Sequence, residues 1–451
     1  MRRLIALGAV AVTVVAATYV VQALNRPSGV SSPTAARIQG ISTVPGLPAS
    51  SEGSGRQKEV DRLIGVFEAQ VRRQPSTLDL NFLGSLYIQR GRLTGDLRTY
   101  AQADEALSRA LEISPQDVDT RSLLASVRFT THDFAAALRL SEDLLQENPE
   151  NLGALTISAD SRLELGDYGR ASSMYSDLAR TLPDVAPVQV RQARLAYLVG
   201  DVGRAVYLAQ LAESSAATAG LDGPDLAWYR SFRAQLELDG GRYAVAAELY
   251  RSALRAAPDS HVAIAGLGKA QAALGRIERA IKLYGRAIEL VPDPSYLSAL
   301  GDLYAIVGDA DRSQAQYDTV EVVSSLARIN RQAYNRQLVV FYGDHDFHLR
   351  RALELARAEL AVRKDVYGWD AYAWVLYRLG RFSEARAAAD EALRIGTADA
   401  RLLYHSGMIS MALGEKERAV EQLLSAIDIS PRFDPLQAEV ARDALESLQA
   451  D

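Results

Sequence analysis

The 451-residue sequence contains no cysteine. That one absence excludes disulfides, thiolate metal sites, a cysteine nucleophile and a lipid-modified N-terminal cysteine. Basic residues are in the minority, 50 Lys and Arg against 56 Asp and Glu, and they are dispersed along the chain. A formal charge of −6 with no basic stripe lacks the electrostatic footprint of a nucleic-acid binder. No Walker loop, dinucleotide fingerprint, nucleophile elbow or His-Glu-x-x-His sequence occurs, and the glycines do not cluster into a phosphate cradle. The sequence therefore leads us to expect no enzyme, no cofactor and no nucleic-acid partner.

What is present is the composition of an ordinary folded protein, 48% hydrophobic and 24% charged. Arg2 and Arg3 precede an uncharged run from Leu4 to Leu24. As a helix that run would measure about 31 Å, close to the hydrocarbon thickness of a bilayer. Val21-Gln22-Ala23 also offers a cleavage site after Ala23. Residues 1–26 thus read as a signal peptide or signal anchor. The charges ahead of the apolar run keep the N-terminus cytoplasmic and send the rest across the membrane. The expected location is the extracytoplasmic face, anchored, or the periplasm or exterior if the segment is cleaved. Residues 27–57 hold four Pro, five Gly and seven Ser and read as a flexible linker.

Residues 58–451 repeat. Pro115, Pro149 and Pro183 are spaced by 34, as are Pro258 and Pro292, and the pairs Gly166/Gly200, Gly241/Gly275 and Gly380/Gly414. In the best copy, Leu267-Gly268 belong to a first helix, Gly275 ends it, Ala280, Tyr284 and Ala287 stripe a second helix, and Pro292 closes the unit. Gly and Ala let the two backbones approach, the turn Gly takes a left-handed cap, the aromatic fills the gap between units and Pro stops the helix. This pattern resembles the tetratricopeptide repeat. The resemblance implies an all-α fold, a superhelical α-solenoid of about ten helix pairs. A helix from Glu59 to Arg73 precedes the pairs and a capping helix from Leu436 to Leu448 follows them. His132 stands where one turn Gly would be, Gly220 to Pro224 make one connection irregular, and Ser325 to Arg363 form a degenerate pair.

Three features bear on function. Asp344-His345-Asp346-Phe347-His348 crowds two carboxylates and two imidazoles together, a set able to ligate a metal. The plainer reading is an interhelix turn, with Gly343 ending one helix and Asp346 capping the next. His132, His261 and His405 read as structural or solvated. Tyr367, Trp369, Tyr372, Trp374 and Tyr377 form a dense aromatic group, and aromatics on a helix are usually core. Asp370, Trp374 and Tyr377 share one helix face, and the family resemblance places that face on the inner groove, making these three the expected partner-binding residues. Some members of the family clamp a chaperone's C-terminal carboxylate with Lys, Arg and Asn. Here the matching positions carry Asn81, Ser122, Thr156 and Asp160, which make no basic clamp.

The function this implies is a scaffold, anchored or exported, that binds protein or peptide partners in a concave groove. One alternative is a metal-dependent enzyme or enzyme regulator built on Asp344 to His348. Another is a self-associating structural component of the cell envelope.

Overall fold

A computed structural model of the chain describes residues 53–94, 96, 98–329 and 335–450. The segment 1–26 and most of the linker lie outside the described residues, among which no helix is long and apolar enough to cross a membrane. Twenty-two helices and no strand occur among the described residues. Helix α1 (Gly53–Arg73) starts inside the stretch read as linker. Ten pairs follow: α2 (Thr77–Thr94) with α3 (Arg98–Ile113), α4 (Val118–Thr130) with α5 (Phe134–Glu147), α6 (Leu152–Glu164) with α7 (Tyr168–Thr181), α8 (Ala186–Leu198) with α9 (Val202–Thr218), and α10 (Gly223–Asp239) with α11 (Tyr243–Ala256). Then come α12 (His261–Ala273) with α13 (Ile277–Leu290), α14 (Pro294–Ile306) with α15 (Ala310–Ile329), α16 (Asn335–His345) with α17 (Leu349–Val362), α18 (Val366–Arg378) with α19 (Phe382–Leu393), and α20 (Ala400–Ala412) with α21 (Lys416–Ile429). Helix α22 (Gln437–Ala450) ends the array as its cap.

The turn inside a pair is built by two or three residues. At the end of α8, Gly200 adopts φ +83°. Its N–H donates to Tyr197 O at 3.0 Å and the next N–H, of Asp201, donates to Ala196 O at 2.9 Å, the paired bonds of a Schellman stop. Asp201 then accepts from Arg204 N at 3.0 Å and opens α9. His132 takes the same left-handed conformation, φ +65°, without being glycine. Burial and the nearby Arg363 charge hold its imidazole down at about 4, so it is a neutral ring, stacked on Phe134 at 5.4 Å. Within the pairs the expected alanines lie at the contact: Ala171, Ala205, Ala246, Ala280, Ala287, Ala385 and Ala419 have no exposed surface.

The described residues fall into two compact units: one ends at Thr131 and takes in Arg139–Leu155, the other comprises His132–Leu138 and the chain from Thr156 onward. In the first, Leu80, Leu86, Leu107 and Phe67 fill the core. There Asn81 donates to Asp117 Oδ1 at 3.1 Å and accepts from Thr120 Oγ1 at 2.7 Å, so its amide is occupied by its own unit.

The second unit winds back onto itself. The turn after α6 rests on the connection between α17 and α18: Lys364 N donates to Glu164 O at 2.9 Å, Val366 N donates to Tyr168 Oη at 2.9 Å, and Arg363 pairs with Glu164 at 3.0 Å. The turn after α8 rests on the connection between α19 and α20, where Thr397 Oγ1 donates to Leu198 O at 2.6 Å and Tyr197 Oη donates to Asp399 Oδ2 at 3.1 Å. The turn after α10 meets the segment after α21, with Tyr243 Oη and Ser430 Oγ 3.0 Å apart. These partners are separated by 187 to 202 residues in the chain. Glycine is required twice over at Gly200, once for its φ and once because a Cβ there would collide with the carbonyl oxygen of Gly396.

This geometry separates the two requirements. Gly414 has φ +75° and open space around it, so Gly414→Ala should cost only the left-handed strain, about 1–2 kcal/mol. Gly200→Ala should cost about 1–3 kcal/mol more from the forced contact. Urea unfolding of both variants checks this; equal losses would mean that the contact between windings adds nothing to stability.

Candidate partner-binding groove

In the second unit one first-helix position lies six residues before the turn glycine of each pair that has one: Asp160, Arg194, Gln235, Lys269, Asp302, Trp374 and Met408. On three second helices a tyrosine reaches back to it from fifteen residues further on. Tyr175 Oη donates to Asp160 Oδ1 at 2.8 Å, Tyr250 Oη to Gln235 Oε1 at 3.0 Å, and Tyr317 Oη to Asp302 Oδ1 at 2.8 Å. Asp160 is also forked by Arg191 at 2.8 Å, a buried pair that fills the site where a basic clamp would need a free cation. The other four members differ. Lys269 cannot accept from Tyr284, and at Trp374 the second helix carries Ala389, so here the first helix supplies the ring.

That substitution explains where the expected partner-binding residues lie. Trp374 is 1% exposed, stacked between His405 (4.1 Å) and Tyr377 (4.9 Å), and its Nε1 donates to Asp344 Oδ1 at 2.8 Å. Asp370 is 5% exposed and bonds His405 Nδ1 at 2.9 Å. Tyr377 is half-buried and alone of the three has surface to offer. The structure thus brings the three together as one stack inside the helix packing.

The run Asp344 to His348 does not converge. Asp344 faces Trp374, and burial pushes its carboxyl above the ordinary range. His345 bonds Phe341 O at 2.8 Å and Asp302 Oδ1 at 2.7 Å. Burial opposes its protonation, yet the hydrogen bond and charge of Asp302 carry its value above that of a free histidine. Asp346 pairs with Arg378 at 3.3 Å. Among the described residues no three His, Asp or Glu are grouped to hold a metal ion. Two details of the turn differ from the sequence reading. Gly343 lies inside α16, where a Cβ would come within 2.7 Å of Trp374 Cδ1, so it makes room for the indole and does not end the helix. Asp346, at φ +61°, fills the turn-glycine position, and the N-cap of α17 is His348.

The open surface lies beside this stack. A groove of about 750 Å³ runs along α10, α12 and α14 and is walled on its far side by the segment before α22. Trp228 and Phe232, stacked in parallel at 5.7 Å, form one side; Tyr296 forms another; Ala265, Gly266 and Ala299 make a low floor. Val262 (49% exposed) and Ile306 (40% exposed) present apolar side chains to solvent within it. A smaller polar recess of about 280 Å³ adjoins it and shares Lys269, Arg401, Arg432 and Phe433. Burial raises the Asp239 carboxyl in that recess, with Lys269 opposing and Asp399 assisting. Arg401 is held protonated, against the cost of burial, by Asp344, Asp434, Asp399 and Asp370 around it. The sequence reading did not single out this groove. The signal for it was Trp228 and Phe232, one turn apart on α10 just after the irregular Gly220 to Pro224 connection.

Two tetratricopeptide repeat family models match the chain, over residues 237–303 and 371–432. The chain contains tetratricopeptide repeats. The matched TPR residues run from the last turn of α10 into α14, and from within α18 to just past α21. No curated protein matches the sequence. Among solved structures, the type IV pilus biogenesis factor PilW is 16% identical over 46% of this chain and 93% of its own, with a TM-score of 0.41. A thermophilic TPR protein from Thermus thermophilus is 23% identical over 42% and 98%, TM-score 0.36, and yeast Tom70 is 14% identical over 89% and 95%, TM-score 0.34.

Truncation distinguishes the buried stack from the groove. Trp374→Ala should cost about 3–5 kcal/mol on urea unfolding, the range for a buried aromatic, and Trp228→Ala clearly less. Similar losses would place Trp228 in the core as well. The charge on His345 adds stability that is full below the ordinary histidine value and is lost as pH rises through the higher folded value. The melting-temperature advantage of the unmodified TPR chain over His345→Gln should therefore shrink as pH rises above the ordinary histidine value. A constant advantage would show that His345 acts through packing alone.

Proposed function

We propose that this TPR array, a protein-interaction scaffold as such arrays are in general, captures a protein or peptide partner in the groove along α10, α12 and α14, on the extracytoplasmic side of a membrane. The single observation that carries the reading is the groove itself, a long concavity that sets exposed Val262 and Ile306 among the rings of Trp228, Phe232 and Tyr296. Apolar and aromatic anchors in a concave, partly dry site are where binding energy concentrates. The location rests on Arg2, Arg3 and the uncharged run from Leu4 to Leu24, which either anchors the chain or is cleaved. A metal-dependent reaction at Asp344 to His348 is not proposed, since those side chains are spent on Trp374, Asp302 and Arg378. No feature of the described residues argues for self-association.

The full chain carrying a photoreactive phenylalanine at Val262, or at the outward Tyr207 (60% exposed), tests both parts in cells. The expected result is a discrete adduct from Val262 and none from Tyr207, lost on Trp228→Ala with Phe232→Ala, with the adduct in the membrane or exported fraction. Equal adducts from both positions would remove the groove. Recovery in the cytosol would remove the location.

A further inference from the structure

The wall that closes the groove is not part of the helices that line it. Ser430, Arg432, Phe433, Asp434 and Pro435 form one side of the groove and of the recess, and they belong to the last pair and cap. Within that body the segment is firmly held. Phe433 is buried against Tyr404 at 5.4 Å between ring centres, and Asp434 Oδ1 accepts from Leu436 N and Gln437 N at 3.0 Å each, fixing the start of α22. Any motion of the segment therefore carries α20, α21 and α22 with it.

Across the gap the attachment is slight. Tyr243 Oη meets Ser430 Oγ at 3.0 Å and accepts from Arg432 N at 2.8 Å, and Arg432 Nη1 donates to Ala273 O at 3.0 Å. The Gly241 turn lies close against Ile429 O. The first contact between windings is of another kind: buried Glu164 takes Arg363 from the later winding at 3.0 Å as well as Arg194 from its own at 2.6 Å, and Arg394 Nη2 donates to Gly166 O at 2.6 Å. The middle contact is made by Thr397 on Leu198 O and Tyr197 on Asp399. Removing one partner of a buried ion pair such as Glu164 with Arg363 is costly, whereas hydroxyl bonds at the edge of an open groove exchange more readily for bonds to water. The Tyr243 contact also borders the recess beside the groove.

We propose that Tyr243 is a latch: its hydroxyl holds the last helix pair and cap against α10 and α12, and its release swings that wall outward to widen the groove from the side. This rests on reading the groove as the partner site, but the motion is testable without any partner. An extended or helical segment joined to a folded protein at both ends cannot be threaded into a walled groove, and a wall that opens sideways removes that restriction.

The absence of cysteine allows the full chain to be spin-labelled at Val245→Cys on α11 and Val440→Cys on α22, both exposed. Dipolar spectroscopy then reads the distance between the two walls. Tyr243→Phe keeps the ring and deletes both hydroxyl bonds; Ser430→Ala deletes one. Tyr404→Phe is the control, because its hydroxyl bonds Gln437 at 2.6 Å within the moving body. The expected result is a longer-distance population that rises about fivefold or more in Tyr243→Phe, rises less in Ser430→Ala, and is unchanged in Tyr404→Phe. Unchanged distances in Tyr243→Phe, or the same lengthening in Tyr404→Phe, would overturn the latch. Absence of any Val262 adduct in the chain that keeps Trp228 and Phe232, with the distance change intact, would instead overturn the partner site and leave the latch standing.

Discussion

Each first helix must stop sharply enough for its partner to fold back along it, which takes a residue at positive φ. Glycine meets that requirement without the clash a Cβ would bring. In the second unit the same small turn also lets a later connection come within van der Waals distance of the backbone: Gly166 against Lys364, Gly200 against Gly396, Gly241 against Ile429. The rest of the unit depends on this constraint. Because the turns are bare, the windings touch through main chain, and because they touch, the inner face of the first helices becomes partly enclosed.

Enclosure sets the chemistry of that inner face. Where the windings press together, Asp160, Glu164, Asp365 and Asp370 are buried and each is matched by Arg or His. Uncompensated, any of these charges would be strongly destabilising in so little water, so the pairing is a condition of the fold and does not mark a catalytic centre. Where the windings part, the same helix face is lined by rings and small residues and holds an open groove. One helix surface thus serves as core at one end of the unit and as a binding surface at the other.

Local signals were readable in the sequence wherever a residue type has one mechanical use. Proline, the turn glycines and the alanine stripe mark ten pairs, and His132 in a glycine position still takes φ +65°. Trp374 could not be read this way. Its burial depends on Gly343 leaving space from the preceding pair and on His405 stacking from the following one. The Asp344 to His348 run looked like a ligand set because its members are neighbours in sequence, yet successive residues around a helix end point in different directions and found separate partners.

The sequence by itself determined the repeat, the pairing of helices and the cap, since these follow from contacts within about 34 residues. Only the tertiary structure decided which part of the inner face is open. That depends on how the small rotation from each pair to the next accumulates until residues 199 apart meet, as Leu198 and Thr397 do. No local pattern encodes such a sum, because every pair contributes to it and the longer α9 and α10 around Gly220 to Pro224 alter it midway. The groove between Trp228 and Phe433 exists because the windings that touch at Gly166 and Gly200 have begun to separate beyond Tyr243.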